Sequence, residues 1–219
     1  MVVAVWSVKG GVGASSVAAM LAIGQVEQAY ETLLVDLCGD MLALLGLDDE
    51  VDPPGVTDWC ALAAAEPEAL RRLEIEARVG LRVLARGSQE SGTNPQLLLQ
   101  ALDTSDRHVI VDCGVVSDDT TFTQQVVRSA DRSLVVVRPC YLNLRMLGRT
   151  SLEPSGVIVI KEKNRVLGRA DIESAADAPV VAEIAFDSGI ARSIDAGLVS
   201  ARLPRPFVRA MAKVLTDAA

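Results

Sequence analysis

Aromatic residues are scarce in this chain, where Phe, Tyr and Trp together make up 3% of 219 residues. A buried core must therefore consist of aliphatic side chains, and hydrophobic residues account for 50% of the chain. That share excludes a disordered chain, because it provides enough apolar surface to offset the entropy lost on folding. The length predicts a single domain over residues 1–219.

Histidine is scarce as well, and closely spaced cysteine pairs are lacking. The chain has one histidine, His108, and four dispersed cysteines with no CxxC pair. A zinc site and a Ser-His-Asp hydrolase therefore lack their parts, and free thiols in a reducing cytosol are the simplest interpretation. The first apolar run has no charged leader, and the longest uncharged stretch is broken by glycine and polar residues. We expect a cytoplasmic protein without a signal peptide or membrane span.

Positive charge is in deficit, since 21 Lys and Arg face 29 Asp and Glu for a net charge of −8. An acidic chain is a poor candidate for a dedicated nucleic-acid binder. A local exception is the C-terminal segment, where contact with DNA or membrane would make the protein nucleoid- or membrane-associated. We favour instead a closing helix that packs its apolar face on the domain. The basic residues concerned are Arg202, Arg205, Arg209 and Lys213.

Short apolar runs alternate with helical stretches along the chain. The predicted strands cover residues 2–6, 32–36, 81–85, 108–112, 134–138, 157–160 and 180–184. The predicted helices cover residues 15–29, 57–65, 67–73, 95–102, 119–129, 142–149, 169–176, 188–196 and 207–215. Most strand runs are continuous Val, Ile and Leu, which is typical of parallel strands buried on both faces. The alternation predicts an α/β fold, a doubly wound and mostly parallel sheet with helices on both faces.

A glycine-rich segment over residues 7–16, SVKGGVGASS, joins the first predicted strand to the first predicted helix (the glycine loop). Its glycines allow a tight turn that points backbone N–H groups at one place, and the helix adds the positive end of its dipole. This geometry holds a phosphate. The usual pattern GxxxxGK[ST] fails twice, because Val8 stands at the first glycine and Ala14 stands where lysine belongs.

The glycine loop resembles the deviant Walker A loop of the ParA/MinD family of P-loop ATPases, KGGxGK[ST][ST], with only the second lysine missing. The resemblance implies that Lys9 reaches across a nucleotide-sandwiched homodimer to the phosphates of the partner. The nucleotide-binding positions that it implies are Lys9, Gly10, Gly11, Val12, Gly13, Ala14, Ser15 and Ser16.

Two further motifs extend the resemblance. The segment LLVDLCGD is similar to the second strand of the family, which carries two acidic residues. Asp36 matches the first acid, and the second falls on Cys38 or, with a shortened loop, on Asp40. The segment HVIVDCG matches the third motif, in which Asp112 takes the position that binds Mg²⁺ through water. The metal-site candidates implied by the resemblance are Ser15, Asp36 and Asp112.

The later part of the chain is also similar to the family. Residues 134–147 resemble its VVTP-plus-helix segment, and residues 182–197 resemble its closing IPxD element with Ala185 in place of proline. Lys161 and Glu162 lie where the family often has an Asn against adenine. The resemblance covers nearly the whole chain and is strongest to the short CpaE/TadZ-like and septum-site branch, which positions pili and division machinery.

The absent lysine affects binding and catalysis differently. A charged hydrogen bond to phosphate is worth ~1.5–3 kcal/mol, so its loss weakens nucleotide binding by roughly 10- to 150-fold. Loss of such a donor in the transition state costs ~100- to 1,000-fold in rate. If Cys38 replaces the second acid, the group that positions the attacking water is lost too. We expect ATP and Mg²⁺ binding to be weak or absent and hydrolysis slow or absent, with Lys9 and Asp36 the only catalytic candidates.

Alternative functions remain at this point. One is a nucleotide-switched homodimer that recruits a protein partner from a pilus, secretion, cell-division or DNA-partition machine. Another is a pseudo-ATPase scaffold that keeps the fold and the dimer surface without nucleotide. A fully active partition ATPase with an unusual phosphate-binding loop is the third. An ordinary metabolic kinase is disfavoured, because it needs the phosphate lysine.

Overall fold

The computed structural model describes residues 1–47, 53–89, 94–102, 106–117, 121–196 and 205–215. The strands are β1 (Val2–Ser7), β2 (Thr32–Asp36), β3 (Ile75–Arg78), β4 (Leu81–Leu84), β5 (His108–Val115), β6 (Arg132–Val137), β7 (Gly156–Lys161) and β8 (Val180–Ala185). The helices are α1 (Ala14–Glu27), α2 (Met41–Leu45), α3 (Val56–Cys60), α4 (Pro67–Arg71), α5 (Pro95–Leu102), α6 (Thr121–Ser129), α7 (Tyr141–Leu147), α8 (Arg169–Ala176), α9 (Ser188–Asp195) and α10 (Arg205–Lys213).

The strands form one sheet in the order β3-β4-β2-β5-β1-β6-β7-β8. Neighbouring strands are parallel, except that β3 runs antiparallel to β4 at one edge. The strand β1 lies in the middle, and the chain adds strands on both of its sides. The sequence-based prediction of a doubly wound, mostly parallel α/β sheet is therefore confirmed.

Two apolar cores cover the two faces of this sheet. Along β1, Val3 and Val5 belong to one core, whereas Val2, Ala4 and Trp6 belong to the other. Because successive side chains of a strand point to opposite faces, a fully buried strand needs apolar residues at every position. This explains why the central strands are continuous Val, Ile, Leu and Ala runs.

The C-terminal helix α10 packs on α1 at an unusually close approach. A Cβ atom on Gly24 of α1 would lie 2.9 Å from the backbone nitrogen of Ala212, so the glycine permits the contact. The face of α10 with Met211, Ala212 and Val214 is buried, whereas Lys213 is exposed. The closing-helix interpretation is confirmed for this face. Arg202, and the side chains of Arg205 and Arg209, lie outside the described residues.

Two elements were absent from the sequence-based prediction. The edge strand β3 has half-buried and exposed residues, so it shows no continuous apolar run. The helix α2 has five residues, which is too short for a helical period to emerge. The predicted helix over residues 57–65 is also shorter, since α3 ends at Cys60. The start predicted for α6, Asp119, lies outside the described residues.

Among the described residues, no helix has the length and apolar character needed to cross a bilayer.

Candidate functional site

The carboxyl ends of three neighbouring strands bring the predicted site residues together. In the parallel pairing of β2 with β5, Asp36 lies opposite Asp112, and in the pairing of β1 with β5, Val5 lies opposite Asp112. The glycine loop leaves β1 two residues after Val5. Both carboxylates therefore lie beside the loop, at the sheet edge where α/β proteins bind ligands.

The glycine loop has the backbone conformation that its composition predicts. Gly11 and Gly13 have φ angles of 72° and 100°, in the left-handed region that other residues rarely adopt. Gly13 is the N-cap of α1 and has no side chain with which to cap it. The first N–H groups of α1 are thus left without a side-chain acceptor from the cap, which favours an anion at this helix end.

A cavity of about 600 Å³ opens above the glycine loop (the loop cavity). Seven of the eight predicted nucleotide-binding residues, Gly10 to Ser16, line it, together with Cys38 and Asp40 from the β2 side. Ala14, at the position of the usual lysine, is one of these lining residues, is 7% exposed and also packs in one of the two apolar cores. Lys9 is half-buried, and its carbonyl oxygen accepts a hydrogen bond from the Ser7 hydroxyl.

Asp112 is fully buried and only half satisfied. Its Oδ1 accepts a hydrogen bond from the N–H of Gly114 at 3.1 Å, whereas its Oδ2 has no hydrogen-bond partner within the described part of the chain. Burial is the main cause that raises the pKa of Asp112 to about 6, and the charge of Asp36 acts in the same direction. The Ser15 hydroxyl and the N–H of Gly114 partly oppose this rise. Buried carboxylate oxygens normally have partners. The orphaned Oδ2 therefore fits a cation or an ordered water beside Ser15.

Asp36 is buried too, but both of its oxygens are occupied. Oδ1 accepts hydrogen bonds from the N–H groups of Cys38 and Gly39, and Oδ2 accepts one from Met41 at 2.9 Å. Burial raises the pKa of Asp36, and these backbone hydrogen bonds oppose that shift. The carboxylate fixes the turn after β2 and the start of α2. Asp36 thus lies at the site predicted for it, but its carboxylate is engaged in hydrogen bonds with backbone N–H groups.

Cys38 lies beside both acids. Its Sγ and one carboxylate oxygen each of Asp36 and Asp112 lie within 4.8 Å of one another. The thiol donates to the backbone carbonyl oxygen of Asp112 at 3.6 Å, and burial raises its pKa far above the ordinary value. A neutral thiol is a poor ligand for Mg²⁺, which prefers oxygen. Asp40 remains exposed on the cavity wall.

The residues therefore fit Mg²⁺ only in part. Ser15 and Asp112 present oxygen donors to the same place, and Asp112 has an uncommitted one. Three of the roughly four acceptor positions of the Asp36 carboxylate are taken by backbone N–H groups, so it has less capacity for a metal than Asp112. None of the four cysteines, all of which lie in the described ranges, forms a disulfide bond.

Residues 1–167 match the family described as cellulose biosynthesis protein BcsQ, which is more than half of the chain. The chain belongs to the BcsQ family. No curated protein matches the chain. The BcsQ-family assignment agrees with the ParA/MinD resemblance found in the sequence, although the sequence did not point to cellulose biosynthesis.

Solved structures show that this BcsQ-family chain has the ParA/MinD fold. A ParA family ATPase from Chlorobium tepidum TLS is 18% identical with a TM-score of 0.76, over 100% of this chain and 99% of that chain. The MinC:MinD complex from Aquifex aeolicus is 16% identical with a TM-score of 0.75, over 100% of this chain and 96% of that chain. The septum site-determining protein MinD from Pyrococcus horikoshii OT3, complexed with Mg-ADP, is 19% identical with a TM-score of 0.72, over 99% of this chain and 94% of that chain.

The site of this BcsQ-family chain contains one cation that was not among the residues predicted from the sequence. Arg138 follows β6, and its Nε donates to the carbonyl oxygen of Val12 at 3.4 Å. The signal was a charged residue at the end of a buried strand, where the segment resembling VVTP reads VVRP. His108, by contrast, stacks on Tyr30 and lies at the opposite end of β5, so it has no part in the site.

Proposed function

We propose that this BcsQ-family chain is a ParA/MinD-like positioning protein that binds an adenine nucleotide weakly and hydrolyses it slowly or not at all. It acts as a dimeric switch for a machine that makes cellulose. The observation that carries the proposal is the orphaned Oδ2 of Asp112 beside a preserved glycine loop, with Ala14 in place of the lysine.

Binding is supported by the backbone rather than by side chains. Glycine φ angles and the uncapped start of α1 remain those of a phosphate cradle, and the loop cavity of about 600 Å³ has room for a nucleotide. Ser15 and Asp112 would hold Mg²⁺, which neutralises phosphate charge when it is bound. This part of the proposal requires only the atoms that the chain has kept.

Slow hydrolysis is supported by two replacements on the catalytic side of the loop. Ala14 removes the charge that stabilises the transition state, a loss of ~100- to 1,000-fold in rate. Cys38 is a neutral thiol between the acids and cannot act as a carboxylate that orients water. Both replacements reduce turnover more than affinity.

Dimerisation is supported by Lys9, which the ParA/MinD resemblance assigns to the phosphates of a second copy. Lys9 is one of only four lysines in the chain. The protein partner would be a component of the cellulose machine, as the family name suggests. A net charge of −8 and the packed apolar face of α10 make DNA or membrane a less favoured partner.

Calorimetry of the purified full chain with ATP and Mg²⁺ tests binding, and light scattering with and without nucleotide tests dimerisation. We expect saturable micromolar binding, a nucleotide-dependent dimer, and little phosphate release. The Lys9→Ala variant should bind nucleotide yet remain monomeric. The matched control Lys213→Ala, whose lysine is exposed on α10, should dimerise like wild type.

Two outcomes would select other functions. No binding at millimolar nucleotide supports the scaffold that has dispensed with nucleotide. Phosphate release at ordinary P-loop rates supports the fully active partition ATPase and contradicts the argument from Ala14.

A further inference from the structure

Arg138 lies beside the glycine loop because of strand pairing. It is the first residue after β6, and β6 runs parallel to β1 with Trp6 opposite Val135. The carboxyl ends of the two strands therefore meet at one edge. This places the guanidinium next to the loop that leaves β1, with Nε 3.4 Å from the Val12 carbonyl oxygen.

Arg138 and residues of the phosphate cradle line the same cavity. A cavity of about 140 Å³ is lined by Arg138 on one side and by Gly13 and Ser16 of the glycine loop on another (the arginine cavity). Val12, Gly13, Ser16 and Ile194 line both this cavity and the loop cavity, so the two adjoin at the loop. The guanidinium thus lies on a cavity whose lining includes residues of the phosphate cradle.

The guanidinium of Arg138 also lies over the Phe186 ring, and its ion-pair partner is one that it can leave. Its Nη1 lies 3.2 Å from Oε1 of Glu162, and the two side chains are 31% and 20% exposed. Glu162 is also paired with Arg165. Release of Arg138 therefore leaves Glu162 with a cation. A partly exposed ion pair contributes little, whereas a charge-assisted hydrogen bond to a phosphate is among the stronger ones.

We propose that Arg138 replaces the absent lysine of the glycine loop by leaving Glu162 and binding the phosphate nearest Gly13 and Ser16. The inference rests on nucleotide binding under the proposed function. The backbone of such loops holds the α- and β-phosphates, while the usual lysine reaches the β- and γ-phosphates. Arg138 approaches from the side of Gly13 and Ser16. It therefore supplies affinity for the diphosphate and does not supply the side-chain charge that the usual lysine brings to the γ-phosphate.

The test is the dissociation constant of Mg-ADP and of Mg-ATP, measured by calorimetry on the full chain. Arg138→Ala should weaken both by the same factor, about 10- to 150-fold for one charged hydrogen bond. The matched control Arg71→Ala removes an exposed arginine that pairs with Glu68 and lines neither cavity, and it should leave both constants unchanged. Adding Ala14→Lys to Arg138→Ala should recover the lost ATP affinity.

A second variant keeps the inference testable if Arg138→Ala does not fold. Glu162→Gln removes the competing carboxylate, so binding of both nucleotides should tighten. Unchanged or weaker binding in Glu162→Gln, or unchanged binding in a folded Arg138→Ala, overturns the inference while the proposed function stands. Equal weakening of adenosine would assign Arg138 to the nucleoside and also overturn it. If wild type binds neither nucleotide, the proposed function and the inference both fail.

Discussion

The sulfur of Cys38 occupies the space that any side chain at Gly114 would need. A Cβ atom built on Gly114 would lie 2.4 Å from Cys38 Sγ, and Gly114 has a φ of 59°. The glycine is therefore required twice, by its backbone conformation and by the thiol from the neighbouring strand end. The backbone at Gly114 also helps to position Asp112, because the N–H of Gly114 donates a hydrogen bond to its carboxylate.

A double-mutant cycle separates these two requirements. Gly114→Ala should lower the free energy of unfolding by about 1–3 kcal/mol through positive-φ strain and overpacking. Cys38→Ala removes the sulfur, so the double variant should recover the steric part of this loss and retain the strain. Urea denaturation of the four proteins measures the coupling. Strictly additive losses would show that the sulfur and residue 114 do not compete for space.

Asp112 makes stability depend on pH in a direction opposite to that of most carboxylates. Burial raises its pKa from 3.8 to about 6, so the folded chain binds its proton more tightly than the unfolded chain does. The contribution of Asp112 to stability is therefore highest below pH 3.8, falls as pH rises to 6, and is level above that, with a total loss of about 3 kcal/mol.

The Asp112→Asn variant tests this dependence, because an amide does not ionise. It should exceed wild type in stability at pH 7 to 8 and converge with it below about pH 4, near the unfolded-state pKa of Asp. Added Mg²⁺ should stabilise wild type and not the variant, since ligands of the folded state stabilise it by mass action. A variant that loses stability at pH 8 would mean that the buried carboxylate carries no ionisation penalty.

Restoring the usual loop lysine should restore affinity and turnover together. Ala14→Lys places a cation in the loop cavity, and ATP should bind about 10- to 150-fold more tightly. Phosphate release should also rise, because the charge acts on the γ-phosphate. The control Ala14→Met adds similar bulk without charge and should give neither gain. Equal effects of lysine and methionine would point to packing of the loop instead of charge.

Two glycine-to-alanine substitutions should differ in sign. In helix interiors alanine is favoured over glycine by about 1 kcal/mol. Gly24→Ala should nevertheless destabilise the protein, since its Cβ would meet backbone atoms of α10 at 2.9 and 3.2 Å. Gly148→Ala, the control, meets backbone oxygens only at 3.6 and 3.8 Å, with a φ of −70°, and should be neutral or stabilising. Thermal melting of both variants checks the contrast.

The sequence predicted the central strands and the place of the site because both depend on local patterns. Continuous apolar runs identify buried strands, and three glycines in front of a helix identify an anion-binding turn. The edge strand β3 and the short helix α2 escaped, because neither has a periodic apolar face.

The sequence could not reveal which side chains were already engaged. Asp36 has the same sequence context as Asp112, yet its oxygens accept three backbone hydrogen bonds. Arg138 reaches Val12, 126 residues earlier, only because β6 pairs with β1. Both outcomes depend on tertiary pairing, which has no signature within a short window of residues.

Because β1 lies in the middle of the sheet, the acidic and the basic residues of the site come from opposite halves of the sheet. Strands on the β5 side carry the acids and Cys38, and strands on the β6 side carry Arg138. Substitutions in the β5 half can abolish hydrolysis without preventing nucleotide binding. Substitutions in the β6 half can change nucleotide affinity without restoring hydrolysis. Under the proposed function, such a chain would respond to the concentration of nucleotide and would not return to its free state by hydrolysing it.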